Sequence, residues 1–228
     1  MNYHPVISGR FIKRLNRFVA EVEIDGKPEL VHVKNTGRLK ELLTAGARVY
    51  LEASANRGRK YACSLIAVEK DGALVNIDSQ VPNAVVYDAI LKGKIAELGN
   101  VDELKREVKY GKSRFDLMYI KDERRGFIEV KGVTLAKDGV AMFPDAPTTR
   151  GTKHVLELVQ AVKEGYEGVI LFLVQMQGCH TFTPHAAMDA PFAEALALAA
   201  RSGVQLLAYD AEVTADSISI GKPIPVKL

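Results

Sequence analysis

The sequence predicts a small β-barrel over residues 1–80 joined to an α/β domain over residues 81–228. Two observations carry this. Short apolar runs separated by turn signals fill residues 11–78, and from residue 82 onward longer apolar strands interleave with helical periodicity. A chain of 228 residues has room for one large domain or two small ones.

In the first unit, Arg17 to Ile24 reads R-F-V-A-E-V-E-I, a strand with Phe18, Val22 and Ile24 as apolar members. Asp25-Gly26 is a hairpin signal, and Leu30 to Val33 returns as a second strand. Asn35-Thr36-Gly37 breaks it, and Arg38 to Leu43 suits one helical turn. Ala47 to Ala53 is a third strand, Asn56-Arg57-Gly58 a turn, Tyr61 to Val68 a fourth strand, Asp71-Gly72 a turn and Leu74 to Ile77 a fifth strand. Five short strands with a helical turn midway fit an OB-fold, while other small barrels and an SH3-like fold fit almost as well.

In the second unit, Pro82 to about Leu98 reads as helix. Arg106 to Tyr110 and Arg114 to Ile120 form a hairpin turning at Gly111-Lys112, and Gly126 to Val133 is the next strand. Lys153 to Lys163 is an amphipathic helix with Val155, Leu156, Val159 and Val162 at helical spacing. Gly168 to Met176 is a buried strand, Pro191 to Arg201 an Ala-rich helix and Val204 to Tyr209 a last core strand.

Composition excludes several classes. The chain is 47% hydrophobic and 26% charged, within the globular range. It has no apolar tract long enough for a membrane span, and its first ten residues lack the charged-then-apolar order of a secretory signal, so cytoplasmic residence is expected. The two cysteines, Cys63 and Cys179, read as buried thiols and not as a disulfide framework or zinc site. G-x-x-x-x-G-K-[ST], G-x-G-x-x-G and G-x-S-x-G are all absent.

Charge is uneven. Residues 1–80 carry 13 Lys/Arg against 9 Asp/Glu, residues 81–160 carry 14 against 12, and residues 161–228 carry 4 against 7. The excess therefore sits at the front, where Arg10, Lys13, Arg14 and Arg17 cluster around Phe11 and Phe18. Basic residues interleaved with aromatics suit a polyanion, although a solvated strand face has the same composition. Lys13, Arg14, Arg17 and Arg38 are the candidate nucleic-acid contacts of this unit.

The chemistry concentrates in S-R-F-D-L-M-Y-I, a charged turn over Lys121 to Arg125, and G-F-I-E-V-K-G-V. On a strand Glu129 and Lys131 share one face, with Ile128 and Val130 on the other. Asp116, thirteen residues before Glu129, lies on the preceding strand. Adjacent strands would gather Asp116, Glu129 and Lys131 around one point, with the Val130 carbonyl as a further ligand. Two carboxylates offer hard oxygen to Mg²⁺ (or Mn²⁺), which can polarise a phosphoryl oxygen and acidify a water. A lysine beside it can orient that water or offset transition-state charge. Glu107 either joins this shell or pairs with Arg106 or Lys109, and Asp145 is better read as closing a turn than as contacting substrate. Arg150 and Lys153 could grip phosphates at a helix start, with Thr152 as the cap. His154 either faces the site or, the better reading, is a satisfied structural histidine, and His180 and His185 read as loop residues.

These residues carry a resemblance. N-T-G-R-L at 35–39, R-E-V-K-Y-G-K-S-R-F-D at 106–116, I-E-V-K-G-V-T-L at 128–135, F-P-D-A-P-T-T-R-G-T-K-H at 143–154 and L-F-L-V-Q-M at 171–176 resemble the sugar fermentation stimulation protein (SfsA) family, in the same order and over nearly the whole chain. The resemblance implies an N-terminal OB-like barrel and a C-terminal PD-(D/E)xK, restriction-endonuclease-like α/β domain. Its motif would fall on Asp116, Glu129 and Lys131. It also implies DNA binding with little sequence preference and a regulatory link to sugar (maltose) metabolism. Three functions stand as expectations: a metal-dependent nuclease hydrolysing phosphodiester bonds, a non-catalytic DNA-binding regulator or, more weakly, a small-molecule or partner-binding scaffold that takes no nucleic acid. Nuclease-type domains often pair, so a homodimer is admissible, although the sequence shows no interface for one.

Overall fold

The computed structural model describes residues 1–56, 58–111 and 113–228. The expected turns at 56–58 and 111–112 include Arg57 and Lys112, which lie outside the described residues.

The first unit contains β1 (Val6–Asn16), β2 (Val19–Ile24), β3 (Lys27–Val33), β4 (Arg48–Ala53), β5 (Cys63–Lys70) and β6 (Ala73–Asn76). They lie in the order β3-β2-β1-β4-β5-β6, and a parallel pairing of His32 and Val33 with Ser64 and Leu65 closes β3 onto β5. The result is a closed five-stranded OB barrel whose interior is filled by Phe11, Val22, Val31, Val33, Val49, Leu51, Leu65 and Val68. Asp25 and Gly26 both have positive φ, as the tight hairpin between β2 and β3 requires.

Two details differ from expectation. The ring includes β1, and β6 stands outside it. In β1 the pairing with β2 slips between Phe11 and Lys13 and again between Arg14 and Asn16. Such bulges bend a strand around a barrel and break the period-2 alternation by which a strand is read in sequence. The expected single helical turn is present: Leu43 N–H donates to the Leu39 carbonyl at 2.8 Å, with buried Leu39 held at φ +50°.

The second unit comprises α1 (Pro82–Leu91), β7 (Glu103–Tyr110), β8 (Ser113–Lys121), β9 (Arg124–Val133), β10 (Leu135–Lys137), β11 (Val140–Phe143), α2 (Thr149–Lys163), β12 (Glu167–Val174), β13 (Thr181–Pro184), α3 (Ala190–Arg201), β14 (Gln205–Val213) and β15 (Ile218–Pro223). Its six-stranded sheet has the order β15-β14-β12-β9-β8-β7, parallel across β14-β12-β9 and antiparallel at both edges. Both faces are covered. Val169, Leu171 and Leu173 pack with α1, while Ile170, Phe172 and Val174 pack with α2 and α3. This is why β12 is a continuous apolar run. Helix α1 stops at Leu91, short of Leu98, because Gly93 turns the chain at φ +62°. Among the described residues no helix is long and apolar enough to cross a membrane.

Strand β6 ties the two units together. Val75 bridges to Met176, and Asn76 N–H donates to the Gln175 carbonyl at 2.9 Å. Beside this join Lys34 reaches both Glu52 (2.9 Å) and the buried Asp78 (3.0 Å). The Asn76 side chain donates to Tyr3 Oη (3.0 Å), and the Gln175 amide donates to Asn76 and Asp78. A buried polar seam of this kind is satisfied in only one relative placement of its partners.

Candidate functional site

The ladder between β8 and β9 is regular up to the pair Leu117↔Ile128. One step further, where Asp116 and Glu129 stand opposite each other, it ends. The Val130 N–H, which a continued ladder would pair with backbone, donates instead to Asp116 Oδ2 at 2.8 Å. Asn83 at the start of α1 donates to Asp116 Oδ1 at 2.8 Å. On the outer side Glu107 interrupts β7 at φ +53°. The sheet thus parts at the position from which the Asp116 carboxylate projects.

Glu129 is 2% exposed. Its Oε1 accepts from Lys131 Nζ and from His154 Nδ1, the latter at 2.6 Å. Its Oε2 is buried and has no hydrogen-bond partner among the described residues. Burial pushes the Asp116 carboxyl above the usual range, and the Glu129 charge adds to this; Val130, Lys131 and Asn83 offset only part. Burial would raise Glu129 as well, but the hydrogen bonds from His154 and Lys131 outweigh it and hold that carboxyl below its ordinary value. Two neighbouring carboxyls are therefore pushed apart, a pattern found at reaction centres.

Helix α2 frames the opening. Its cap is Thr148, whose Oγ1 accepts from Gly151 N–H at 3.0 Å; Thr152, the expected cap, lies inside the helix. Asp189 accepts from Thr148 N–H (2.7 Å) while capping α3 at Phe192 (3.0 Å), so one carboxylate fixes both helix starts. Gly151 is required there, because a Cβ would sit 2.8 Å from the Thr148 side chain. Arg150, Lys153 and His154 then face a cleft of about 840 Å³, completed by Lys109, Ser113, Arg114 and Thr149. No carboxylate lines it among the described residues.

A second groove, of about 760 Å³, lies on the barrel between β1 and the Thr36–Ala45 loop. Lys13, Arg14, Arg17, Arg38 and Lys40 line it, again without a carboxylate among the described residues. Ala146 lines its edge and Thr149 lines the cleft, so one short segment borders both. Between them Gly37 abuts Asp145, where a Cβ would fall 2.5 Å from Asp145 Oδ2. A further cavity of about 690 Å³, lined by Glu97, Tyr119, Lys121, Arg124 and Glu167 among others, contains none of the candidate residues.

The structure therefore brings Asp116, Glu129, Lys131 and the Val130 main chain together; Arg150 and Lys153 line the cleft beside His154, and none of those first three side chains lines it. The barrel cations form a separate groove. Arg14 differs from its neighbours there: it donates to the carbonyls of Gly37, Arg38 (3.0 Å), Arg17 (2.6 Å), Asn35 (2.6 Å) and Asn16 (3.2 Å). Those bonds occupy all five guanidinium donors. Lys13 pairs with Glu21 at 3.3 Å, and Glu107 pairs with Arg114 at 3.0 Å and not with Arg106 or Lys109. His180 and His185 lie in loops, and Cys63 is half-buried while Cys179 is buried.

Comparison with known proteins decides the family. Residues 12–77 match the SfsA N-terminal OB domain, and residues 80–217 match the sugar fermentation stimulation protein RE domain. The chain belongs to the SfsA family. It is 50% identical over 231 residues to the sugar fermentation stimulation protein homolog of Alkaliphilus oremlandii (99% of this chain, 98% of that one). It is 48% identical over 228 residues to the homolog of Desulfitobacterium hafniense strain Y51 (100% and 99%). Among solved structures, SfsA of Pyrococcus furiosus in complex with Ca²⁺ superimposes with a TM-score of 0.89 at 29% identity, covering 100% of this chain and 98% of that one.

Two residues that contact this cluster, Asn83 and His154, were not assigned to it from sequence. Asn83 carries no local signal. His154 does: it occupies the buried face of α2 with Gly151, Val155 and Leu158, and a polar residue on an apolar face needs a partner.

Proposed function

We propose that this SfsA protein is a DNA-binding, divalent-cation-dependent nuclease of the PD-(D/E)xK type with little sequence preference. The observation that carries the reading is the buried Glu129 Oε2, without a partner among the described residues, in a carboxylate that His154 links to a cleft lined by cations. A buried carboxylate oxygen without a partner is costly, and a hard cation would satisfy it. Among the described residues no three His, Cys, Asp or Glu side chains gather as a cage. The protein's share would thus be Asp116, Glu129 and the Val130 carbonyl, a sparse oxygen set that suits Mg²⁺ or Mn²⁺, with water and phosphate completing the shell. The Pyrococcus furiosus relative is described in complex with Ca²⁺, a hard divalent ion, and this supports the reading.

When bound, the cation supplies Lewis-acid stabilisation of phosphoryl charge. The chain's own residues do the rest. Arg150, Lys153, Lys109 and Arg114 hold the backbone phosphates. Lys131, fixed against Glu129, places a positive charge where the attacked phosphate gains negative charge. Water oxygen bonds to phosphorus and releases a proton to solvent, the phosphorus–oxygen ester bond breaks, and the departing alkoxide takes up a proton from solvent. The barrel groove adds affinity through phosphate contacts that carry no sequence information.

The test incubates end-labelled single- and double-stranded DNA with Mg²⁺, Mn²⁺ or EDTA and follows both mobility and length. Cleavage with either ion, lost in EDTA and in Asp116→Asn while retention persists, is expected. Retention without cleavage under every condition would leave a DNA-binding regulator, and absence of retention at low salt would remove DNA from the account.

A further inference from the structure

The Glu129 carboxylate is divided. One oxygen is held twice, by Lys131 and by His154 Nδ1, and the other is buried and unheld. A carboxylate hinged on a strand can rotate about its last bond; two donors on a single oxygen stop that rotation and fix which oxygen is left free. Lys131 follows Glu129 on the same strand, so its bond does not relate the strand to anything else. His154 comes from α2, which the Thr148–Asp189 caps hold in place. Its contact is therefore the one that fixes Glu129 relative to the cleft wall.

We propose that His154 is a positioning residue for the cation: by donating from Nδ1 to Glu129 Oε1, it reserves Glu129 Oε2 as the metal-facing oxygen and so sets metal affinity. The inference rests on the reading above that Glu129 is a cation ligand. Because Glu129 is a carboxylate that already accepts from Lys131, Nδ1 carries the proton in this bond. Partners that orient a ligand in this way are worth about 10–100-fold in metal affinity.

The geometry predicts which replacement restores function. The asparagine amide nitrogen occupies the place of the imidazole Nδ1, whereas the glutamine amide reaches the place of Nε2. Mn²⁺ binding by the full-length protein, read by titration calorimetry and by the electron paramagnetic resonance signal of free Mn²⁺, should weaken by about 10–100-fold in His154→Ala. It should recover to within a few-fold of wild type in His154→Asn and recover less in His154→Gln. Melting of each variant in EDTA shows whether it is folded. If His154→Ala does not fold, the Asn and Gln variants alone decide the matter through their order. Wild-type affinity in His154→Ala, or equal weakness in Asn and Gln, would overturn the positioning role while leaving the cation site standing. A wild-type protein that binds no Mn²⁺ would instead bring down the cation reading and this inference with it.

Discussion

Arg14 and Arg17 are three residues apart, line the same groove and carry the same charge, yet their replacement should have opposite signatures. Replacing Arg14 by Met keeps most of the aliphatic stem and removes five hydrogen bonds. The bonds to Gly37 and Asn35 are partly buried, and the other three are exposed. At the lower end of the range for a charged donor, about 1.5 kcal/mol each, the two sheltered bonds give about 3 kcal/mol, while the exposed three add little. With a urea slope of about 3 kcal/mol/M, the unfolding midpoint should fall by about 1 M. Amide exchange should rise in the loop that holds Leu39 at positive φ. Arg17→Ala makes no such change: the Arg17 side chain has no hydrogen-bond partner among the described residues, so stability should move by less than about 0.5 kcal/mol. It should instead weaken DNA retention evenly across sequences and reduce the salt slope by about 1. Urea melts and retention at graded salt on both variants decide the point. A midpoint shift below about 0.3 M in Arg14→Met, with exchange unchanged, would refute the claim that this arginine holds the loop.

The seam between barrel and sheet gives a second expectation. Lys34→Met leaves Asp78, 1% exposed, without its cation and should cost about 3 kcal/mol or more, seen as a lowered thermal midpoint; an unchanged midpoint would mean that the seam does not hold the units. The Tyr110 phenol is pushed up to about 12 by burial and by its bond to Glu164. A phenol raised on folding stabilises fully below its unfolded pKa of about 10, and that contribution disappears as pH rises through the folded value. Absorbance titration of wild type against Tyr110→Phe should therefore lose one phenol ionising near 12, and a difference centred near 10 would contradict the bond.

The elements most legible in the sequence are those whose apolar pattern runs unbroken along the whole element. Strand β12 is apolar throughout because it is covered on both faces, and α2 shows a clean apolar stripe. Strand β1 was not legible, because its two bulges interrupt alternation, and the small sheet of β10, β11 and β13 was missed because three or four residues carry no period. At the candidate site, Asp116 and E-x-K could be placed on neighbouring strands by spacing alone. What spacing does not contain is the parting of those strands, the reach of Asn83 from α1, or the capture of Arg14 by a loop more than twenty residues away. Those are tertiary contacts, and a side chain's chemistry does not reveal which distant carbonyl will occupy it.

The parting of β8 from β9 also dictates how the site can be tested without confusing folding with chemistry. Asp116 is at once a proposed cation ligand and the acceptor for a main-chain N–H. Asp116→Ala removes both roles and leaves the Val130 N–H, inside the sheet, without a partner, at a cost of about 1–3 kcal/mol. Asp116→Asn removes the charge but keeps a carbonyl oxygen for Val130, and the Asn83 amide, which donates to the other oxygen, can turn its own carbonyl toward the new amide nitrogen. With burial raising the Asp116 carboxyl, loss of its charge should be tolerated and could even stabilise the fold. The two variants should therefore be equally inactive, with cleavage reduced about 100-fold or more for the loss of several kcal/mol of charge stabilisation. Their stabilities should differ, Asn lying at or above wild type and Ala below it. If Asn were as destabilised as Ala, the charge and not the hydrogen bond would be holding the strand, and Asp116 would be a structural anion instead of a strained ligand. If Asn cleaved as well as wild type, the carboxylate could not be a ligand at all, whatever its geometry.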